Sequence, residues 1–159
     1  LQFIDVRDLG DWTIRMVEAG KNGVYNATGP KARLEMKEFL EACRKETGGK
    51  ATFVWAPEAK LTEAGLTPEA EFPIWVSTLG EEAGIGDVSI ARALKAGLTF
   101  RPLGETIQAT LAWWDSLPED RRAKARAGLA PEKETATLVF LKTGKLPPAA
   151  PAAAPEAKK

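Results

Sequence analysis

Few residues in this chain are equipped for chemistry. Arg101 sits between Phe100 and Pro102, and the proline holds it in the extended region. A guanidinium fixed there can grip a phosphate or carboxylate through two parallel N–H bonds. It can equally serve a surface ion pair. Arg7-Asp8 stands where a short apolar run meets a helical pattern. Such junctions face ligands in open α/β sheets, but an Asp cap with an Arg paired to a nearby carboxylate accounts for the same two residues. Phe72 and Trp75 lie in a proline-rich loop and have two readings, pocket wall or core plug.

What is missing narrows the chemistry further. The chain has no histidine, which removes imidazole acid–base catalysis, His-based triads and His metal sites together. Cys43 is the only cysteine, so no intramolecular disulfide forms. It falls on an apolar helical stripe, where a small buried hydrophobe is the expected role. The carboxylates are scattered, and no pair is singled out for general acid–base work. Lys plus Arg and Asp plus Glu both number 22. That balance lacks the basic surplus that nucleic acid or an anionic membrane surface requires. No apolar run approaches the ~20 residues of a membrane span. Leu1 is not an initiator methionine and no leader pattern follows, so a fragment or processed piece in the cytoplasm is expected.

The elements that must position these residues read as follows. Phe3, Ile4 and Val6 suit a buried strand, and Leu9, Trp12, Met16 and Val17 line one helix face. Asp8 is the expected cap, and Gly20 the stop. Residues 24–28 make a second strand, giving strand, helix, strand with a right-handed parallel crossover. Met36, Phe39, Leu40 and Cys43 mark the next helix, ended by Gly48-Gly49. A short strand over 52–55 and a brief helix from Pro57 to Gly65 repeat the alternation, so the class is α/β. From 67 to 87 periodicity disappears, as in a lid or binding loop. Ser89 or Asp87 is expected to cap a helix carrying Ile90, Ala91 and Leu94. The longest helix runs from Leu103 to a stop before Pro118. Neighbours on a helix diverge by ~100°, so Trp113 and Trp114 cannot share a direction. Charged helical turns follow over 119–126, and Pro131 opens a last helix with Leu138 and Leu141. From Pro147 only Pro, Ala, Glu and Lys remain, the composition of a disordered tail.

Three motifs in order carry a resemblance: Phe3-Ile4-Asp5-Val6-Arg7-Asp8-Leu9, then Gly23-Val24-Tyr25-Asn26-Ala27-Thr28-Gly29-Pro30, then Phe100-Arg101-Pro102-Leu103-Gly104-Glu105-Thr106 with a helix ending in Trp113-Trp114. Over residues 1–130 the chain resembles the C-terminal, substrate-binding part of NAD-dependent epimerase/dehydratase proteins, the extended short-chain dehydrogenase/reductases. The resemblance implies a partial Rossmann-like sheet edge with a mostly helical substrate-side subdomain. An added helix over 131–146 and the tail over 147–159 lie beyond it. It also implies a parent NAD(P)-dependent enzyme acting on a hydroxyl or carbonyl of a small or nucleotide-linked substrate. Arg101, Trp75, Phe72 and Arg7 would be the substrate-side residues.

The cofactor machinery of that family is not in this sequence. No Gly-rich turn joins a strand to a helix. The single tyrosine, Tyr25, is followed four residues later by Gly29, where the family places a lysine. The chain alone is therefore expected to bind no cofactor and to be catalytically incomplete, with NAD(P) and the nucleotide-binding half supplied in the intact protein. A non-catalytic α/β binding or protein-interaction module is the alternative. An unpaired sheet edge and an outward tryptophan also lead to an expectation of self-association.

Overall fold

Asp5, not Asp8, starts the first helix. In the computed structural model Asp5 is extended (φ −65°, ψ 129°), and its carboxylate accepts from the Arg7 backbone N–H at 2.9 Å. That carboxylate takes up one of the N–H groups left free in a first turn. Helix α1 therefore runs Val6–Glu18, and Asp8 lies inside it. Gly20, at φ +61°, closes it, with Gly20 and Lys21 donating back to Val17 and Met16. The structure describes residues 1–67, 71–72, 74–77, 80, 83–124 and 128–147. The tail from residue 148 onward, and Pro73 in the Phe72–Trp75 loop, lie outside them.

Among the described residues six further helices follow: α2 Met36–Glu46, α3 Glu58–Glu63, α4 Ala91–Lys95, α5 Leu103–Ser116, α6 Glu119–Ala123 and α7 Pro131–Thr143. Each begins where the local chemistry allows. Glu35 and Glu38 form a reciprocal capping box at α2. Proline stands at the N-cap of α3, α5 and α6 and inside the first turn of α7. Neither Ser89 nor Asp87 caps α4, whose N-cap is Ile90 without a side-chain bond.

No strand forms among the described residues, so the architecture is mainly helical and the expected α/β class with its Rossmann-like sheet edge is corrected. The reason lies in the hydrogen bonds. Residues 1–5 and 23–30 are extended and adjacent, but Phe3 N–H to Gly29 C=O at 2.7 Å is the one backbone rung between them. Side chains satisfy other backbone groups. The Gln2 amide both donates to and accepts from Val88 at 2.8 Å, and Asn26 donates to the Ser89 carbonyl at 3.1 Å. A ladder needs repeated backbone pairs, and these segments are tied by side-chain amides instead. Without a sheet edge, that ground for self-association goes as well.

The chain divides into two compact units, residues 1–53 with 74–126, and residues 54–73 with 127–159. In the first, Trp12, Met16, Ala93 and Leu98 form a buried core, joined by Ile4, Leu9, Tyr25 and Phe100. The Trp12 indole donates to the Ala96 carbonyl and meets the Tyr25 ring edge-on. Gly29 is required there, because a Cβ would collide with the Phe100 ring. Helices α2 and α5 pack together, with Gln108 donating to Glu46 at 2.7 Å. In the second unit Ala64, Leu66, Thr137 and Phe140 are buried. None of the described helices is long and apolar enough to cross a membrane.

Candidate functional site

Four arginine and aspartate pairs converge where α1 and α5 begin, one of them Arg101 Nε to Asp5 at 3.8 Å. Arg7 donates through Nε and Nη2 to the two oxygens of Asp5, at 2.9 and 2.6 Å. Thr106, in the first turns of α5, donates its hydroxyl to the same Asp5 carboxylate at 2.8 Å. Arg101 binds Asp8 twice, through its backbone N–H at 2.9 Å and Nε at 2.7 Å, and its Nη2 approaches Asp11 at 3.6 Å. Asp5 and Asp8 are buried, and the Arg101 side chain keeps 19% of its surface. The Arg7 guanidinium, with help from the Arg7 N–H and Thr106, holds the Asp5 carboxyl far below the usual carboxylate range against the opposing effect of burial. This network locks two helix starts to one another. Among the described residues no group of three acidic, Cys or His side chains is set to hold a metal ion.

Two grooves open on the same unit. One, of about 700 Å³, is lined by the loop after Pro30, by residues 74–77 and by the approach to α4. Trp75 forms part of its wall, Lys31 and Arg33 supply positive charge, and Ser77 and Ser89 supply hydroxyls. Glu35 and Asp87 bring negative charge to the same groove, and Ile85, Val88 and Leu94 are among its apolar lining. An aromatic face beside two cations suits a ligand with a flat or sugar ring and an anionic group.

The second groove, of about 910 Å³, is lined mainly by apolar side chains of α2 and α5. Phe39, Ile107, Leu111, Trp113 and Trp114 line it, with Phe3 and Val6 at the other side. The two tryptophans diverge as neighbours must, yet both reach this groove, and neither is buried. Cys43 also lines it, half-buried, and burial pushes its thiol pKa up.

The four residues singled out from the sequence are therefore not gathered in one place. Trp75 lines the mixed groove and Arg7 the apolar one. Arg101 is committed to Asp8, and Phe72 belongs to the other compact unit. Sequence reasoning missed Lys31 and Arg33, although two cations two residues apart just after Gly29-Pro30 were a readable signal. It also missed Asp5 and Thr106, whose roles depend on where α1 and α5 begin.

Comparison with known proteins gives a limited likeness. Over 49 residues the chain is 47% identical to a probable UDP-arabinose 4-epimerase 1 of Oryza sativa subsp. japonica. The match takes in 29% of this chain and 11% of that protein's length. It supports a relation to epimerases at that coarse level. No family model matches the chain, and no solved structure does.

Proposed function

We propose that this chain is the substrate-binding portion of an NAD(P)-dependent epimerase/dehydratase-like protein whose substrate is a nucleotide-linked sugar. The observation that carries the reading is the 49-residue likeness to a probable UDP-arabinose 4-epimerase. The mixed groove supports it chemically. Lys31 and Arg33 suit a diphosphate, and the Trp75 face suits a ring. NAD(P) and the proton-transfer pair belong to the nucleotide-binding half. Arg7 and Arg101 then act by fixing the starts of α1 and α5.

Calorimetric titration of the chain with a UDP-pentose tests this. Saturable binding is expected, weakened at least tenfold by Trp75→Ala, which corresponds to ~1.4 kcal/mol. NADH followed by its own fluorescence should give no saturation. A folded chain that ignores UDP-pentose at millimolar concentration would overturn the assignment. One observation favours a second reading, a non-catalytic interaction module: the apolar groove with its two tryptophans.

A further inference from the structure

Helix α1 carries apolar residues on two faces. Trp12 and Met16 enter the core. Val6, Ile14 and Val17 lie off that face and are 78%, 59% and 74% exposed. At ~100° per residue, Val6, Gly10, Thr13 and Val17 fall along one line of the helix. Their spacing of four, three and four is that of helices packing side by side in a seam. The middle of the line is small. A Cβ built on Gly10 would meet nothing within 4 Å, so a neighbouring helix can come close. Thr13 has its hydroxyl bonded to the Leu9 carbonyl at 2.7 Å, so it presents no unsatisfied donor to an apolar partner.

The charges beside this line say what covers it. Arg7 and Glu18 flank the same edge of the stripe, one near each end of α1. A second copy laid antiparallel brings Arg7 of each chain to the partner's Glu18, twice by symmetry. A parallel copy, related by a two-fold axis along the helices, would put this edge of each helix on opposite sides of the seam, so Arg7 and Glu18 would not meet. The antiparallel arrangement also opposes the two helix dipoles. Arg7 spends Nε and Nη2 on Asp5 and keeps Nη1 for a partner.

We propose that α1 is a self-association surface, on which two copies of this chain pair antiparallel along Val6, Gly10, Thr13 and Val17, with an Arg7–Glu18 ion pair at each end. One helix against one helix is at the small end of protein interfaces, so the dimer is a weak one. Its rim charges make it salt-sensitive.

Sedimentation equilibrium of the whole chain between about 10 and 500 µM tests the proposal. A monomer–dimer equilibrium is expected that weakens at least tenfold with Val17→Asp, and several-fold with Glu18→Arg or with added salt. Both positions are exposed, and circular dichroism should confirm that the variants fold. Orientation is read by disulfide trapping in a Cys43→Ser background. Mixed Gly10→Cys and Thr13→Cys chains should cross-link to each other in preference to themselves. A monomer at every concentration would sink the proposal. So would a dimer indifferent to both substitutions, which would move the contact to the apolar groove, and so would preferential Gly10→Cys homodimers, which mark a parallel pair.

Discussion

Helices α1 and α7 are both 13 residues long, yet the first anchors its unit and the second leans on its own. In α1 the core-facing apolar residues, Leu9, Trp12 and Met16, recur at helical spacing on one face. In α7, Leu138, Val139, Phe140 and Leu141 are consecutive, so they encircle the helix, and of these only Phe140 is buried. A run of adjacent apolar residues cannot all enter one core, whereas a spaced set can. Polar anchoring differs in the same sense. The start of α1 is fixed by a side-chain cap and by Arg7, Arg101 and Thr106 acting on Asp5 and Asp8. The start of α7 has a proline in its first turn and no side-chain cap. Periodicity and a capped, ion-paired start together decide which helix holds its unit.

The largest effect that follows is at Trp12. Its replacement by alanine removes a buried indole, its contact with Tyr25 and its bond to Ala96. A loss of about 3–5 kcal/mol is expected. Thermal denaturation followed by circular dichroism measures it. A loss under about 1 kcal/mol would mean that α1 does not anchor the first unit, and the comparison would break.

Arg101→Ala comes next, at about 3 kcal/mol, because it leaves Asp8 buried with only a backbone N–H for its charge. Stability against urea is the measurement, and a neutral result would return Arg101 to ligand binding. Asp5 gives a pH arm to the same test. Its carboxyl is held below its ordinary value of 3.8, so its contribution is complete above that value. It is lost as pH falls below 3.8 toward the folded-state value. Asp5→Asn should therefore cost the same at pH 7 and pH 5, and the gap to the parent should close in more acidic solution. A gap that closes near neutral pH would show that another group controls the network.

Every helix described here was legible in the sequence, because each is marked by spaced apolar residues, a proline at its start or a glycine at its end. The stretch from Leu9 to Gly20 is the plainest case. The lack of strands among the described residues was not legible, because residues 3–6 and 24–28 have strand-like composition but their pairing depends on partners distant in sequence. Gln2 and Asn26 take those partners with side-chain amides, and no local pattern announces it. The site was half legible. Trp75 lines a groove, where its loop had left pocket wall and core plug both open. The engagement of Arg101 with Asp8, 93 residues away, depends on how α1 and α5 meet, which spacing along the chain does not encode.

Within the second unit, Leu66→Ala sharpens the contrast. Leu66 is 2% exposed and follows the turn that ends α3. A cost of about 2–3 kcal/mol is expected, at the lower end for a leucine, since a small unit collapses more readily around the gap. Urea denaturation would measure it. A cost equal to that of Trp12→Ala would make the two cores equivalent.

The smallest effect belongs to the ion pair between Lys133 of α7 and Glu71. Lys133, aided by the Thr67 backbone N–H and hydroxyl, holds the Glu71 carboxyl below its ordinary value of 4.5. Its contribution is therefore present above that pH and is lost as the solution becomes more acidic. The Lys133 side chain is 41% exposed, so water and salt screen the pair. Lys133→Ala should lower the melting temperature by only about 1–2 °C at pH 7, and by less in high salt. Differential scanning calorimetry at two ionic strengths checks both statements. A shift as large as that of Arg101→Ala, and unmoved by salt, would show that the second unit is also held by a desolvated ion pair. The two units would then differ in periodicity alone.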